Sequence, residues 1–304
     1  MHIRIGTRKS KLALWQANHV AKQLHLIGHS TELIPFESDG DKILDTPLPL
    51  IGGKGIFTKT LDDAILNKSI DIAVHSFKDV PTKLEDKLLV AAILKRERPT
   101  DALVVKKGLD FLKQEKAIIA TSSNRRKAQW LNKFPSHSVM DIRGNVPTRI
   151  EKLKHQNFDA TILASAGLIR LKLTDEIAQE LDWMIPAPAQ GAVAIVCHAD
   201  NHEIKTVLEK VNHPNTATCT TIEREFLNAL NGGCSAPVGA HAFIEENWIH
   251  FKAVVLSING KEKIERELKE KIQKAKDLGV KAAKIAETKG AKKYIDDANL
   301  LKNG

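Results

Sequence analysis

Five times between His2 and Arg170 a short apolar run of β character gives way to a polar loop carrying arginine or lysine, and the loop to an amphipathic helix. The runs are His2–Gly6, Ile70–His75, Lys116–Thr121, Val139–Ile142 and Asp159–Ala164, and the loops bring Arg8, Lys78, Arg125 with Arg126, Arg143 with Arg149, and Arg170. Near-continuous apolar runs are what strands covered on both faces need, whereas one-sided strands alternate. Repeated strand–helix units therefore restrict the chain to an α/β fold with helices on both faces of a largely parallel sheet. In such sheets ligands bind at loops beyond the carboxyl ends of the strands. Each loop here sets cations beside the unsatisfied N–H groups and positive dipole end of the next helix. Repeated in register, such loops form a cleft suited to a polyanion bearing carboxylates or phosphates.

The remaining segments fit this frame. Leu12–Leu26 and Leu61–Leu66 read as helices, and Glu32–Glu37, Leu89–Leu94 and Asp101–Val105 as further strands. The charged segment Lys95–Thr100 is a domain crossover, and Pro186-Ala187-Pro188-Ala189-Gln190-Gly191 is a stiff return linker before the strand Ala192–Cys197. Beyond His213 the style changes to the helix Thr216–Leu230, a meander (Val238–Ile244, Trp248–Ser257, Glu262–Leu268) with a hairpin at Asn259-Gly260, and a closing helix Lys271–Lys289. That change marks a separate α+β domain. The expected domains are 1–98 with 191–212, then 99–190, then 213–304.

Composition narrows the function. The chain has 304 residues, with 46 Lys and Arg against 37 Asp and Glu for a net charge of +9. Much of the C-terminal lysine alternates with glutamate over an apolar helical stripe and reads as a solvated face. With one Tyr and four Trp and no aromatic–basic motif, nucleic acid is not the expected partner. No apolar run reaches the ~18 residues of a membrane span, and no signal-peptide region opens the chain, so a cytoplasmic location is expected. The histidines and the three cysteines lack metal-ligand spacing, so no metal is expected. Cys197 and Cys219 sit in apolar strand and helix patterns and read as core thiols. Cys234 differs: Asn231-Gly232-Gly233-Cys234-Ser235-Ala236-Pro237 presents it in a loop of small residues after a helix, with the glycines taking the left-handed backbone of a helix end.

These segments together resemble the porphobilinogen deaminase (hydroxymethylbilane synthase) family. The likeness rests on Gly6-Thr7-Arg8-Lys9-Ser10-Lys11-Leu12-Ala13, Leu44-Asp45-Thr46-Pro47 with Gly52-Gly53-Lys54-Gly55, and His75-Ser76-Phe77-Lys78-Asp79-Val80-Pro81. It continues through Thr121-Ser122-Ser123-Asn124-Arg125-Arg126, Ile142-Arg143-Gly144-Asn145-Val146, Gln190-Gly191-Ala192 and Gly232-Gly233-Cys234. The resemblance implies two doubly wound domains like those of periplasmic binding proteins and a small α+β C-terminal domain carrying the cofactor cysteine. It implies stepwise head-to-tail condensation of four porphobilinogen molecules, with loss of ammonia, to linear hydroxymethylbilane. Growth would start from a dipyrromethane cofactor bound through a thioether to Cys234.

The resemblance also implies roles. Asp79 would be the catalytic carboxylate, stabilising the cationic azafulvene left when ammonia departs. Arg8, Ser10, Lys54, Lys59, Ser76, Lys78, Thr121, Ser122, Ser123, Arg125, Arg126, Arg143, Arg149 and Arg170 would bind the acetate and propionate groups of cofactor and substrate. Gln190 would lie near the interdomain hinge. A monomer that passes its product to uroporphyrinogen-III synthase is the implied setting. Thr60 stands where the family often has an acidic residue, Pro188-Ala189 where Val-Gly is usual, and Ala194 and Val196 where Gly and Glu are common. A missing hinge glycine bears on how freely the domains move. Two rival readings are a non-catalytic binding protein for a carboxylate-rich ligand and a thiol enzyme using Cys234 as nucleophile with a histidine base.

Overall fold

In the computed structural model, which describes residues 1–37, 58–233 and 236–300, the chain divides into two compact units. The first holds described residues 1–37, 58–97 and 191–218; the second holds 98–190, 219–233 and 236–300.

The first unit is built on a five-stranded sheet of β1 (His2–Arg8), β2 (Ser30–Phe36), β3 (Ile72–Ser76), β4 (Leu88–Ile93) and β10 (Val193–His198), in the order β2-β1-β3-β10-β4. Helix α1 (Lys11–Leu26) crosses between β1 and β2, α2 (Lys59–Leu66) precedes β3, and α6 (His202–Glu209) follows β10. The two faces carry separate cores. Ile3, Ile5, Ile72 and Val74 meet Val20 and Leu24 of α1 on one, and Ala73 and Val196 meet Leu61 and Ile65 of α2 on the other. This double coverage is why the strands read as continuous apolar runs.

The second unit contains a sheet of the same plan, β7-β6-β8-β5-β9, from β5 (Asp101–Val105), β6 (Ile118–Ala120), β7 (Ser138–Met140), β8 (Ala160–Ala164) and β9 (Gln179–Glu180). Helices α3 (Asn124–Lys133), α4 (Val146–His155) and α5 (Ser165–Arg170) follow β6, β7 and β8. Neither sheet is wholly parallel: β3, within the run Ile70–His75, is parallel to β1 on one side and antiparallel to β10 on the other. β10 runs antiparallel to β3 and β4, and β5 antiparallel to β8 and β9. Both exceptions are strands at the crossovers: β5 enters its sheet directly after Glu97, and β10 enters its own directly after Gln190. An apolar strand gives no sign of its direction, so periodicity could not reveal this.

The second unit also holds a three-stranded antiparallel meander, β11 (Val238–Glu245), β12 (Trp248–Leu256) and β13 (Lys263–Lys271), with most of α7 (Pro214–Ala229) and all of α8 (Leu278–Glu287) and α9 (Ala291–Leu300). Gly260 makes the β12–β13 turn with φ +74°. The single closing helix read over Lys271–Lys289 is wrong. β13 continues to Lys271, a short 3₁₀ turn follows, and the helical stretch splits at Gly290 with φ +91°. Alternating Lys and Glu suits an exposed edge strand as well as a helix face, so charge alternation could not separate the two. The end of α7 also differs from expectation. Asn231, not a glycine, takes the left-handed φ of +54°. At Gly232 a Cβ would stand 2.6 Å from Leu227 Cδ1, a side-chain end that can shift to make room.

α8 crosses α7 at Gly279, where a Cβ would lie 2.1 Å from the carbonyl oxygen of Ile222 and 2.9 Å from the amide nitrogen of Phe226. Backbone cannot yield as a side chain can. Gly279→Ala is therefore expected to destabilise the fold by about 3 kcal/mol, read as a lowered midpoint in thermal unfolding.

Candidate functional site

In the first unit the predicted residues gather at the carboxyl ends of β1 and β3. Arg8 closes β1, and Ser10 caps α1, its hydroxyl accepting from Ala13 N at 3.2 Å. That bond occupies one acceptor site of a hydroxyl read as a carboxylate ligand. β3 runs into a 3₁₀ turn, Phe77–Asp79. Phe77 and Val80 are buried on either side of half-buried Lys78 and Asp79. Phe77 N donates to Ala192 O at 3.0 Å, which ties the turn to the residue before β10. The pattern Phe-Lys-Asp-Val thus anchors by its ends and presents its middle. Ser76 Oγ accepts from Gln16 Nε2 at 2.9 Å, and Gln16 is buried in α1. Nothing in the sequence singled out Gln16, which reads as one polar position in an amphipathic helix. Lys59 Nζ lies 3.4 Å from Asp63 on an exposed face of α2. Lys54 and Cys234 lie outside the described residues.

In the second unit the loops after β6, β7 and β8 are adjacent because those strands are neighbours in the sheet. Ser122 joins two of them: its hydroxyl donates to Ile142 O at 2.9 Å and accepts from Ile142 N at 3.0 Å. Ser123 caps α3, accepting from Arg126 N at 3.5 Å, and Thr121 is buried with its N–H on Met140 O at 2.8 Å. Asn145 caps α4, with Pro147 in the first turn. Gly144 takes φ +117°, and its carbonyl accepts from Arg149 Nε at 2.8 Å. Arg143 is half-buried; desolvation lowers its pKa, and Asp141 opposes that. Arg170 ends α5 and is buried.

Arg125 and Arg126 are placed differently from an exposed anion site. Both are buried in the first turn of α3, and both turn to Asp101, which is fully buried. Gln190 donates to the same carboxylate at 3.1 Å. Sequence reasoning missed Asp101. The available signal was a pair of adjacent arginines, which at i and i+1 cannot share one exposed helix face.

Two buried titratable groups flank the first unit's loops. Burial first, and then the Arg8 cation, push the His75 imidazole down to about 4. Its folded value lies below the unfolded one of about 6.5, so this contribution to stability is present above that pH and lost as pH falls through the folded value. Asp62 has the opposite sign. Burial pushes its carboxyl up to about 6, against a hydrogen bond from Thr58 and the Lys59 cation, while Asp63 and Glu85 add to the rise. Its contribution is present at acid pH and lost as pH rises through about 6. Asp62→Asn mimics the neutral acid, so the variant should exceed the wild type in stability by about 2 kcal/mol at neutral pH. Denaturant unfolding across pH should show the gap closing toward the ordinary carboxylate pKa.

Fold and loops together define an α/β protein whose strand ends carry guanidinium, ammonium and hydroxyl groups. Residues 3–206 match the family model "Porphobilinogen deaminase, dipyromethane cofactor binding domain", and residues 217–287 match "Porphobilinogen deaminase, C-terminal domain". A porphobilinogen deaminase of a Nitratiruptor species is 42% identical over 307 residues, covering 99% of this chain and 98% of its own. One of Geotalea uraniireducens is 43% identical, covering 92% and 90%. Among solved structures, the probable amino-acid ABC transporter extracellular-binding protein ytmK of Bacillus subtilis aligns at a TM-score of 0.41 and 13% identity, over 69% of this chain and 90% of its own. The chain belongs to the porphobilinogen deaminase family.

Proposed function

We propose that this chain carries out its family's reaction, the head-to-tail condensation of four porphobilinogen molecules with loss of ammonia to give linear hydroxymethylbilane, and so acts as a transferase in tetrapyrrole biosynthesis. The observation that carries the reading is the match of residues 3–206 to the cofactor-binding domain model, in a chain with a presented Lys78–Asp79 turn in its first unit and arginine-bearing loops in its second. The donor set fits a dipyrromethane, whose acetate and propionate groups need planar guanidinium forks and hydroxyls. That cofactor, held through a thioether at Cys234, supplies the first nucleophilic pyrrole carbon.

The chain's own residues supply binding and charge. Arg8, Lys78, Arg125, Arg126, Arg143, Arg149 and Arg170 take ligand carboxylates, with Ser10, Ser76, Ser122, Ser123 and Thr121 adding hydrogen bonds and Lys54 and Lys59 adding charge. Asp79 is the carboxylate that would serve the pyrrole nitrogens. Its carboxylate stabilises the methylene cation left as ammonia departs and takes up the proton released when the next ring bonds. The domains expected at 1–98 with 191–212, 99–190 and 213–304 would divide these tasks, the third holding the cofactor tether. A cytoplasmic monomer that hands its product to uroporphyrinogen-III synthase completes the proposal.

The test is chemical. Purified protein should give the colour of a pyrrole-specific reagent and resist alkylation at Cys234, and Cys234→Ser should give neither colour nor turnover. A freely alkylated Cys234 in active protein would favour the rival thiol-nucleophile reading.

A further inference from the structure

The arginine pair of α3 is held by a device that no part of the reaction scheme requires. Asp101, the first residue of β5, is fully buried. Its Oδ2 accepts from Arg125 Nη1 at 2.6 Å, and its Oδ1 from Arg126 Nε at 2.9 Å and Nη2 at 2.7 Å. Arg126 Nη1 is tied as well, to Ile162 O at 2.8 Å, and the Arg125 Nη1 that meets Asp101 also donates to Ile185 O at 3.0 Å. All three nitrogens of the Arg126 guanidinium thus have a fixed partner. A fourth donor meets the same carboxylate. Gln190 Nε2 lies 3.1 Å from Asp101 Oδ1, 2.7 Å from Pro99 O and 3.2 Å from Thr100 O. Gln190 is fully buried and is the last residue of the second unit before the chain crosses to β10.

An unrestrained arginine loses rotamer freedom when a ligand fixes it. A pair already fixed loses little, so binding energy goes to the ligand. The arrangement also answers repulsion, because one carboxylate between two adjacent buried cations offsets charges that would otherwise drive the side chains apart. Burial lowers the Arg125 pKa while Asp101 raises it, which keeps that cation charged where desolvation disfavours it.

We propose that Asp101 is a positioning residue for this reaction: it orients Arg125 and Arg126 toward ligand carboxylates, and Gln190 locks that orientation to the interdomain crossover. This rests on the reading of the two arginines as carboxylate-binding. The donors left to the pair are its further N–H groups, since each guanidinium carries five and the contacts above use only some of them.

Two variants test it, each scored for cofactor load by intact mass, for KM and kcat with porphobilinogen, and for thermal midpoint. Asp101→Asn keeps the shape and removes the charge; folded protein should carry less than about a tenth of the wild-type cofactor load. Gln190→Met keeps the volume and removes the amide donors; it should raise KM about fivefold or more, a larger change than its fall in kcat. If Asp101→Asn is not recovered folded, Gln190→Met decides alone. A lowered thermal midpoint with unchanged cofactor load and KM in the folded variants would overturn the proposal, leaving Asp101 a purely structural anchor. Arg125→Gln and Arg126→Gln run alongside. If they load cofactor and bind substrate normally, the carboxylate-binding reading fails; if they fail while Asp101→Asn and Gln190→Met match wild type, only the positioning proposal fails.

Discussion

Asp79→Asn is expected to lower kcat by about 10²- to 10⁴-fold, the range for removal of a positioned proton-transfer or charge-stabilising group. The fold should not notice. Phe77 and Val80 hold the turn from the core while Asp79 stands half-buried between them, and the backbone bond from Phe77 N to Ala192 O does not involve its side chain. Asparagine keeps the size and an acceptor oxygen but has no charge to set against a developing cation. The thermal midpoint of the variant should therefore stay close to wild type while turnover collapses. Near-normal bilane formation would remove Asp79 from its assigned role.

Glu223→Ala is expected to have the largest effect on stability, about 3–5 kcal/mol, with no direct effect on chemistry. Glu223 is fully buried in α7. Its Oε2 accepts from Ala189 N at 2.6 Å and its Oε1 from Ala242 N at 2.7 Å. One carboxylate thereby satisfies a buried amide of the crossover and another on the free edge of β11, where the neighbouring Ala240 N already bonds Pro186 O at 2.9 Å. Truncation leaves two buried N–H groups without acceptors. Even Glu223→Gln should be poorly tolerated, because its NH₂ must face one of two donors. Ala189 sharpens the point, holding φ +61° without being glycine. The bond to Glu223 holds a backbone conformation that an L side chain seldom adopts. Denaturant unfolding of both variants checks this, with Glu223→Ala more damaging than Glu223→Gln.

Much of the fold was legible because its signals are local. The apolar runs Ile70–His75 and Asp159–Ala164 announce strands covered on both faces, found at Ile72–Ser76 and Ala160–Ala164, and Asn145 with Pro147 marks a helix start. The cation-bearing loops were legible for the same reason: each cation follows its own strand. What escaped depends on partners distant in sequence. Asp101 meets Arg125 and Arg126 across 24 and 25 positions, and Ser76 meets Gln16 across 60. Glu223 reads as an ordinary polar residue of an amphipathic helix, since nothing nearby shows that it will be enclosed. Charge alternation misled at the C-terminus because an exposed edge strand and a solvated helix ask for the same residues.

The central claim is that Asp79 drives chain growth on a cofactor tethered at Cys234, and acid-quenched intact mass after mixing with limiting porphobilinogen tests it most directly. The wild type should start above its bare sequence mass by one dipyrromethane and climb a ladder of single pyrrole additions before returning to the start. Asp79→Asn should show no advance up that ladder over the same interval. A wild-type mass equal to the bare sequence, or a ladder that climbs equally fast in Asp79→Asn, would contradict the account.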